Sequence, residues 1–228
     1  MDDLTILYIS ASRMPETWIE YQLNVLLDAV KNTQIISCTR KPLNFGLNLL
    51  DTYPRSMWNI YVQMLRAAKL ARTPYVAMAE DDTLYPKEHF TEFRPGKDVV
   101  SYNRSRWSLF SWVKDPDLQI YCMRQRISNC SLIAPTEYLI EALEERHKKY
   151  PNGNTYVGEV GRRKVDARLG VKLRNRVEWY STVPVIQLNH RTGSDAGGGP
   201  GRTKRHGQIK AYDIPYWGKA KDIIKYYG

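Results

Sequence analysis

The chain has 228 residues, a length that suits one domain of the larger kind, and 43% of them are hydrophobic, enough for a sizeable core. No run approaches the roughly 18 apolar residues of a membrane-spanning helix, which excludes a transmembrane role. The formal net charge of +10 favours polyanionic partners: nucleic acid, a nucleotide diphosphate or an acidic membrane surface.

The first 82 residues alternate between apolar runs and amphipathic helical patterns. The runs have strand length and cover residues 4–9, 35–38 and 75–79. Between them, apolar residues recur at helical spacing over residues 16–30 and 54–71. Buried-type strands that are separated by helices predict a parallel α/β sheet.

The second half of the sequence is less regular. Three strands are predicted, at residues 98–102, 131–134 and 183–189. The aromatic residues 107–112 fit a strand or a loop. Two helices are predicted, one over residues 135–150 with Thr136 as the candidate N-cap, and a basic one over about residues 159–173. Residues 193–207 are rich in glycine and cations, which predicts a mobile loop.

The three cysteines, Cys38, Cys122 and Cys130, are sparse and contain no CxxC pair. This usage predicts reduced thiols in a cytosolic protein and favours core positions over metal ligands or nucleophiles. The sequence begins without a basic region followed by a long apolar stretch, so we expect no signal peptide and a soluble, cytoplasmic protein that does not bind membranes.

Three consecutive acids, Glu80, Asp81 and Asp82, end the apolar run of residues 75–79. A buried strand that delivers carboxylates at its C-terminal end can hold a divalent cation over the edge of a sheet. Adjacent carboxylates repel one another, so a positive charge is expected nearby. Mg²⁺ or Mn²⁺ would bring a diphosphate with it, because these ions are usually shared between carboxylates and substrate phosphates. A solvated acidic turn is the alternative interpretation.

The α/β half, the acid-tipped strand and the mixed second half together resemble a nucleotide-sugar glycosyltransferase of the GT-A fold, family-2-like, in motif order over residues 4–193. The resemblance implies a single domain with a Rossmann-like parallel or mixed sheet flanked by helices. It implies a nucleotide-binding half at residues 1–82, an acceptor half at residues 83–193, and a mobile loop with a C-terminal segment at residues 194–228. The implied reaction moves a sugar from a UDP-sugar to a hydroxyl group with Mn²⁺ or Mg²⁺.

The resemblance also assigns the acids. The family's Asp-x-Asp metal motif, often varied to Glu-Asp-Asp, is similar to Glu80-Asp81-Asp82. Asp82 is the expected metal ligand, and Glu80 or Asp81 would face the ribose, the donor sugar or a water molecule. Many members end a late strand on a histidine that binds the metal, and residues 186–190 are similar, with His190 in that place. A structural or surface histidine is the alternative.

Nucleotide contacts are expected where the first two strands end. The family's turn after the first strand holds the nucleoside, and here this turn contains Ser10, Ser12 and Arg13. Arg40 follows the second strand, where a nucleotide lies in an α/β sheet. Arg202, in the glycine-rich loop, would neutralise the diphosphate if the loop folds over it. Solvated arginines and a surface loop are the alternatives.

A general base is needed if the transfer inverts the anomeric centre. Family members carry an acidic pair at the start of a helix, followed by Arg-Leu and Gly; Glu159 and then residues 168–170 are similar, although Val160 replaces the second acid. Glu159 is the expected base, with Asp166 in reserve. If the configuration is retained, no such base is required, and Glu159 is then an acid favoured by the helix dipole.

Seven cations between residues 162 and 176 face a single acid, Asp166, which is too one-sided for an ordinary salt-bridged helix. We expect a track for a phosphate backbone there, with Trp107 and Trp112 stacking on a sugar or an extruded base. The seven are Arg162, Arg163, Lys164, Arg168, Lys172, Arg174 and Arg176. A solvated face is the alternative.

A small, basic protein of this kind resembles the phage DNA-modifying glycosyltransferases, including the TET-associated group that adds a sugar to 5-hydroxymethylcytosine. That resemblance implies DNA as the acceptor and a phage-encoded enzyme that acts in the host cytoplasm. Three other interpretations remain open. The acceptor is a glycan, a lipid-linked sugar or a protein; the chain is a non-catalytic α/β module that binds nucleic acid; or it is a nucleotidyltransferase.

Overall fold

A seven-stranded mixed sheet with helices against it forms the centre of the protein, so the predicted α/β class is confirmed. The structure is a computed structural model, and it describes residues 1–153, 158–191, 193 and 207–228. Arg202 and the rest of residues 194–206 therefore lie outside the described residues.

The first half of the chain builds a parallel part of the sheet. Its elements are β1 (Leu4–Ile9), α1 (Glu16–Val30), β2 (Gln34–Thr39), β3 (Leu47–Leu50), α2 (Met57–Ala68) and β4 (Tyr75–Glu80). Strands β3, β2, β1 and β4 are neighbours and run parallel. Every residue of β1 is buried. A strand that is covered by helices on both faces has a continuous apolar sequence, which is why this run could be recognised. Strand β3 was not predicted; it is a short edge strand whose leucines are partly exposed.

Three strands of the second half extend this sheet: β6 (Val99–Asn103), β9 (Leu132–Pro135) and β10 (Asn175–Trp179). The order is β3-β2-β1-β4-β9-β6-β10, and β9 is antiparallel to both of its neighbours. Strands β6 and β10 are parallel to each other, so all strands of the sheet except β9 point the same way. Their carboxyl ends therefore lie at one edge.

A smaller five-stranded sheet lies beside that edge. It has the order β12-β8-β7-β11-β5 and consists of β5 (Thr83–Leu84), β7 (Arg106–Phe110), β8 (Tyr121–Met123), β11 (Val185–Asn189) and β12 (Lys210–Ala211). The aromatic run at residues 107–112 thus belongs largely to a strand. Short elements complete the described chain: α3 (Lys87–Thr91), β13 (Asp213–Ile214), β14 (Gly218–Lys219) and α6 (Ala220–Ile224).

The two helices of the second half differ from the sequence prediction at their ends. Helix α4 (Thr136–Lys149) has Pro135 at its N-cap position, so Thr136 is the first helical residue and not the N-cap. The Thr136 hydroxyl donates to the carbonyl of Thr73 instead of capping the helix. The basic helix α5 (Arg163–Leu169) is much shorter than predicted. It ends because Gly170 adopts φ +62°, the left-handed conformation that terminates helices.

All three cysteines are buried free thiols, as predicted. Burial raises the pKa of Cys38 to about 11 and that of Cys130 to about 12, so these thiols stay protonated at neutral pH. In the described part of the chain, no helix is both long and apolar enough to cross a bilayer.

Candidate active site

The predicted metal ligands Asp82 and His190 come together at the carboxyl edge of the large sheet. Asp82 lies in the turn between β4 and β5, and His190 directly follows β11. Strand β11 pairs with β5, and the amide of Leu188 donates to the carbonyl of Asp82 over 2.7 Å. This pairing leaves His190 Nε2 3.9 Å from Asp82 Oδ2, with both side chains largely buried.

Asp81 lies deeper in the turn and is held from two sides. Ser10 donates its hydroxyl hydrogen to the Asp81 carboxyl, and Trp18 Nε1 donates to the Asp81 carbonyl over 2.8 Å. Burial, with the charge of Asp82 as the next cause, raises the pKa of Asp81 to about 7, although the Ser10 bond and Arg13 act in the opposite direction. Burial and the charge of Asp82 thus disfavour a second negative charge in the acidic turn, and a bound cation would relieve that repulsion.

The turns after β1 and β2 are tied together by the predicted serines. Ser12 donates its amide to Ser10 Oγ over 2.9 Å, and the amide of Arg40 donates to Ser12 Oγ over 3.2 Å. Ser12 adopts φ +52°, which is uncommon for a residue other than glycine. Because Ser10 also donates to Asp81, the two hydroxyls link the turns that follow β1, β2 and β4.

A cavity of about 180 Å³, the smaller of two at this edge, opens between these turns and the start of α2. Its cations are Arg13, Arg40 and Arg55, and its acids include Asp81 and Asp82. Arginines that face a carboxylate cluster across a cavity can bind an anion which is bridged to the carboxylates by a metal ion.

Asp51 was missed by sequence reasoning and lines the same cavity. It follows β3 and accepts hydrogen bonds from Asn59 Nδ2 at 2.7 Å and Gln63 Nε2 at 2.9 Å. Arg40 Nη1 lies 3.7 Å from it. No local pattern marks Asp51, because its position depends on the unpredicted edge strand β3.

The larger cavity, of about 320 Å³, lies on the other side of the Asp82–His190 pair. Both cavities are lined by six common residues: Met57, Ile60, Glu80, Asp82, His190 and Gly193. A Cβ atom on Gly193 would stand 3.2 Å from His190 Nε2, so glycine keeps the space beside the imidazole open. Asp82 and His190, the candidate metal ligands, therefore lie at the junction where the two cavities meet.

Asp82 is held in place by a chain of buried polar side chains. Gln187 Nε2 donates to Asp82 Oδ2 over 3.3 Å, and Thr83 Oγ1 donates to Asp82 Oδ1 over 2.7 Å. Arg106 donates to Gln187 Oε1 and also, over 2.9 Å, to the carbonyl of Arg126. The sequence contains a signal for Gln187, which alternates with the apolar Ile186 and Leu188 of β11. Arg106, the first residue of β7, gives none.

Glu159 and Asp166 occupy different environments. Glu159 lies before α5, lines the larger cavity and has its Oε2 atom 3.3 Å from Arg162 Nη1. Asp166 lies on α5, lines neither cavity, and is fully buried against Arg146, with 2.6 Å between Asp166 Oδ1 and Arg146 Nη2. Asp166 Oδ2 also accepts from the amide of Arg174 over 3.3 Å. These contacts fasten α5 to α4 and hold Asp166 away from both cavities, so the expectation that it could act as the base was wrong.

The substitution Asp166→Asn is expected to lower the free energy of unfolding by about 3 kcal/mol, because it leaves Arg146 buried without its counter-charge. Urea denaturation would measure the loss. Asp98→Asn is the matched control, since Asp98 is exposed and makes no hydrogen bond or ion pair with the described residues. A loss under about 1 kcal/mol, the usual range of surface pairs, would contradict a structural role for the ion pair.

The seven cations between residues 162 and 176 are less one-sided in the fold than in the sequence. Four of them pair with carboxylates, two of which belong to α4: Arg162 with Glu159, Lys172 with Glu141, Arg174 with Glu141 and Glu145, and Arg176 with Glu178. Arg163 and Lys164 are exposed and make no ion pair within the described part of the chain. The four paired cations all lie outside α5, so the segment as a whole carries less unpaired positive charge than its sequence indicates.

The two tryptophans expected to stack on a sugar or base lie apart. Trp112 lines the larger cavity and packs on Phe110, with 5.2 Å between ring centroids. Trp107 packs against the apolar core of the smaller sheet. Only Trp112 is placed to meet a ligand in either cavity.

The donor set at the junction fits a divalent ion in part. Among the described residues, no group of three or more His, Cys, Asp or Glu side chains is arranged to hold a metal. Asp82 Oδ2 and His190 Nε2, 3.9 Å apart, can both reach one ion, because two bonds of about 2.1 Å span up to about 4.2 Å. The carboxylate suits Mn²⁺ or Mg²⁺ and the imidazole is a common metal ligand, and the other ligands would have to come from a substrate or water.

No family model and no curated protein matches the chain. Among solved structures, it is similar to a glycosyltransferase involved in the glycosylation of the major capsid of PBCV-1, at 8% identity and a TM-score of 0.47, over 80% of this chain and 92% of that one. The 2-C-methyl-D-erythritol 4-phosphate cytidylyltransferase of Thermus thermophilus matches at 12% identity and a TM-score of 0.44, over 77% and 88% of the two chains.

A mannosyltransferase from Pyrobaculum calidifontis, in complex with GDP-Man and Mn²⁺, matches at 10% identity and a TM-score of 0.43. That match covers 82% of this chain and 56% of the mannosyltransferase. The chain spans about half the length, 50% and 45%, of two further similar structures. At such low identities and TM-scores, no residue role passes from these proteins to this one.

Proposed function

We propose that the protein is a metal-dependent glycosyltransferase that moves a sugar from a UDP-sugar to a hydroxyl acceptor. The observation that carries the proposal is the position of Asp82 and His190, 3.9 Å apart at the junction of the two cavities. A reaction between two substrates needs such a junction, with a nucleotide on one side and an acceptor on the other.

The nucleotide belongs in the smaller cavity. This cavity lies outside the carboxyl ends of β1, β2 and β4, where open α/β sheets bind their ligands. Arg13, Arg40 and Arg55 would neutralise part of the diphosphate charge, and Asp82 and His190 would hold the ion that takes up the rest. The uracil base is the expectation that follows from the family resemblance.

Glu159 is the proposed general base, because it is the carboxylate near α5 that lines the larger cavity. Its carboxylate takes the proton of the acceptor hydroxyl while the acceptor oxygen forms a bond to C1 of the sugar. The bond from C1 to the diphosphate breaks, and its electron pair leaves with UDP, which inverts the anomeric centre. A divalent ion held by Asp82 and His190 would supply positive charge for the departing diphosphate, worth several kcal/mol in such reactions.

For the acceptor, we propose 5-hydroxymethylcytosine in DNA. A net charge of +10 and the arginines around the larger cavity favour a polyanionic acceptor. Trp112 offers a ring on which a base can stack inside that cavity. In a duplex the target base would have to leave the stack, because a hydroxymethyl group inside the helix cannot reach the junction.

The test measures UDP release from a panel of UDP-sugars with Mn²⁺, comparing duplex DNA that contains hydroxymethylcytosine with unmodified duplex DNA. Release with the modified duplex alone is expected, and chelation by EDTA should abolish it. UDP release that requires a glycan or a protein instead of DNA would show that the acceptor is not hydroxymethylcytosine. Failure to bind any UDP-sugar would favour the non-catalytic module, and pyrophosphate release from a nucleoside triphosphate with a sugar phosphate would favour a nucleotidyltransferase.

A further inference from the structure

Two surface grooves open from the rim of the larger cavity at different places. The first, here the α5 groove, is lined by Gly161, Arg162, Arg163, Lys164, Arg174 and Arg176 together with Asn175, and it shares Arg162 and Arg176 with the cavity. The second, here the β8 groove, contains Arg124, Gln125 and Arg126 after β8 and residues 207–209 before β12. It shares Gln125 and Arg126 with the cavity.

The grooves meet through one side chain. Arg104 lines the larger cavity and donates both to Glu178, which also pairs with Arg176, and to the carbonyl of Gln125. Arg104 therefore contacts groups that border each groove. The cations of the α5 groove, Arg104 and the cations of the β8 groove form a continuous stripe across the mouth of the cavity.

This stripe carries an excess of positive charge. Two carboxylates face it at the mouth of the cavity, Glu159 and Glu178, and both pair with its arginines. Two more, Glu141 and Glu145, pair with Arg174 in the α5 groove, so four acids oppose its eight cations. In the α5 groove, Arg163 and Lys164 are exposed and make no ion pair with any described residue. A long stripe with surplus cations fits a ligand whose negative charges repeat along its length.

We infer that the stripe binds a nucleic-acid strand whose backbone runs from one groove to the other, with the β8 groove as a second phosphate-binding site. The inference rests on the proposed function and names how its acceptor is held. The cavity that lies between the grooves would receive one nucleotide of the strand, and Trp112 lines that cavity. A poly-aspartate chain has repeated charges too, but it has no flat ring to place against the tryptophan.

The experiment measures the affinity of the full chain for a fluorescein-labelled single-stranded oligodeoxynucleotide of twelve residues by anisotropy, between 50 and 200 mM KCl in EDTA. Neutralising two phosphate contacts should reduce the slope of log affinity against log salt by about 1.4, at about 0.7 per contact for single strands. We expect this reduction for Arg163→Gln with Lys164→Gln in the α5 groove. We expect it again for Arg124→Gln with Arg126→Gln in the β8 groove.

Arg72→Gln with Lys97→Gln is the matched control, because both side chains are exposed and precede β4 and β6, at the sheet edge away from the site. Its slope should stay at the wild-type value. Arg124 packs over the Phe110 ring, so its substitution could also disturb the fold. A separate variant, Gln208→Glu, therefore tests the same groove by adding a negative charge at an exposed residue. That substitution alone should weaken binding at least threefold.

Binding that is unaffected by every β8-groove variant would overturn the second site. If the control variant lowered the salt slope as much as the groove variants do, the net charge of the protein and not the stripe would explain the binding. Competition by poly-aspartate as strong as that by unlabelled oligonucleotide would overturn the assignment to nucleic acid. Calorimetry of UDP with Mn²⁺ reports on the smaller cavity separately. A protein that binds UDP but ignores the groove substitutions would lose only this inference, whereas one that binds the oligonucleotide but not UDP would lose the proposed enzyme.

Discussion

Asp82→Asn is expected to lower the kcat/KM of sugar transfer by at least about 10³-fold, because the substitution removes the charged metal ligand opposite His190. UDP release measured against Mn²⁺ concentration would show both the lower rate and a weaker dependence on the ion. Asn keeps the size of the side chain and a carbonyl oxygen that can accept from Gln187. The loss would therefore report charge rather than shape.

The stability of the same variant separates this effect from misfolding. The charge of Asp82 is one of the causes that raise the pKa of Asp81, so removing it relieves repulsion inside the acidic turn. We expect Asp82→Asn to unfold at the same urea concentration as the wild type or a higher one. A variant that retains wild-type Mn²⁺-dependent activity would show that Asp82 is not the metal ligand.

Glu159→Gln is expected to lower kcat by about 10²- to 10⁴-fold, the usual range for loss of a general base. Affinity for UDP with Mn²⁺ should stay at the wild-type value, because Glu159 lines the larger cavity and not the smaller one. Single-turnover transfer rates and calorimetry would measure the two quantities. Glu137→Gln, at an exposed position in the first turn of α4, is the matched control.

A Glu159→Gln variant that keeps full activity would point to a retaining transfer, which requires no base at this position.

The parts of the fold that could be predicted are those with a local cause. Strands β1 and β4 are buried on both faces and read as continuous apolar runs, and α1 has an apolar face at helical spacing. Strand β10 was missed because its first three residues are exposed, and it is a strand only because it pairs with β6. Its sequence carries no periodic pattern that would mark it.

The residues of the candidate site also fall into two groups, those that a local sequence pattern predicts and those that only the folded structure brings there. The acids of residues 80–82 follow a recognisable strand, so their place at a sheet edge could be predicted, and His190 follows from the strand before it. Arg106 reaches Gln187, and through it Asp82, only because β7 lies beside β11. The charge on the basic segment was overestimated for a similar reason, since Glu141 and Glu145 belong to α4 and pair with Arg174 only in the folded protein.

The pairing of β5 with β11 has a consequence for how the protein is made. Leu84 and Ile186 are partners in that ladder although about 100 residues separate them, so the ladder closes one of the longest loops in the chain. Contacts of such long range form slowly, and on the ribosome they cannot form until β11 has emerged. The parallel strands β1 to β4 can pair well before that moment, but Asp82 and His190 meet only afterwards. Nascent chains that stop before β11 should therefore be folded in part and catalytically silent.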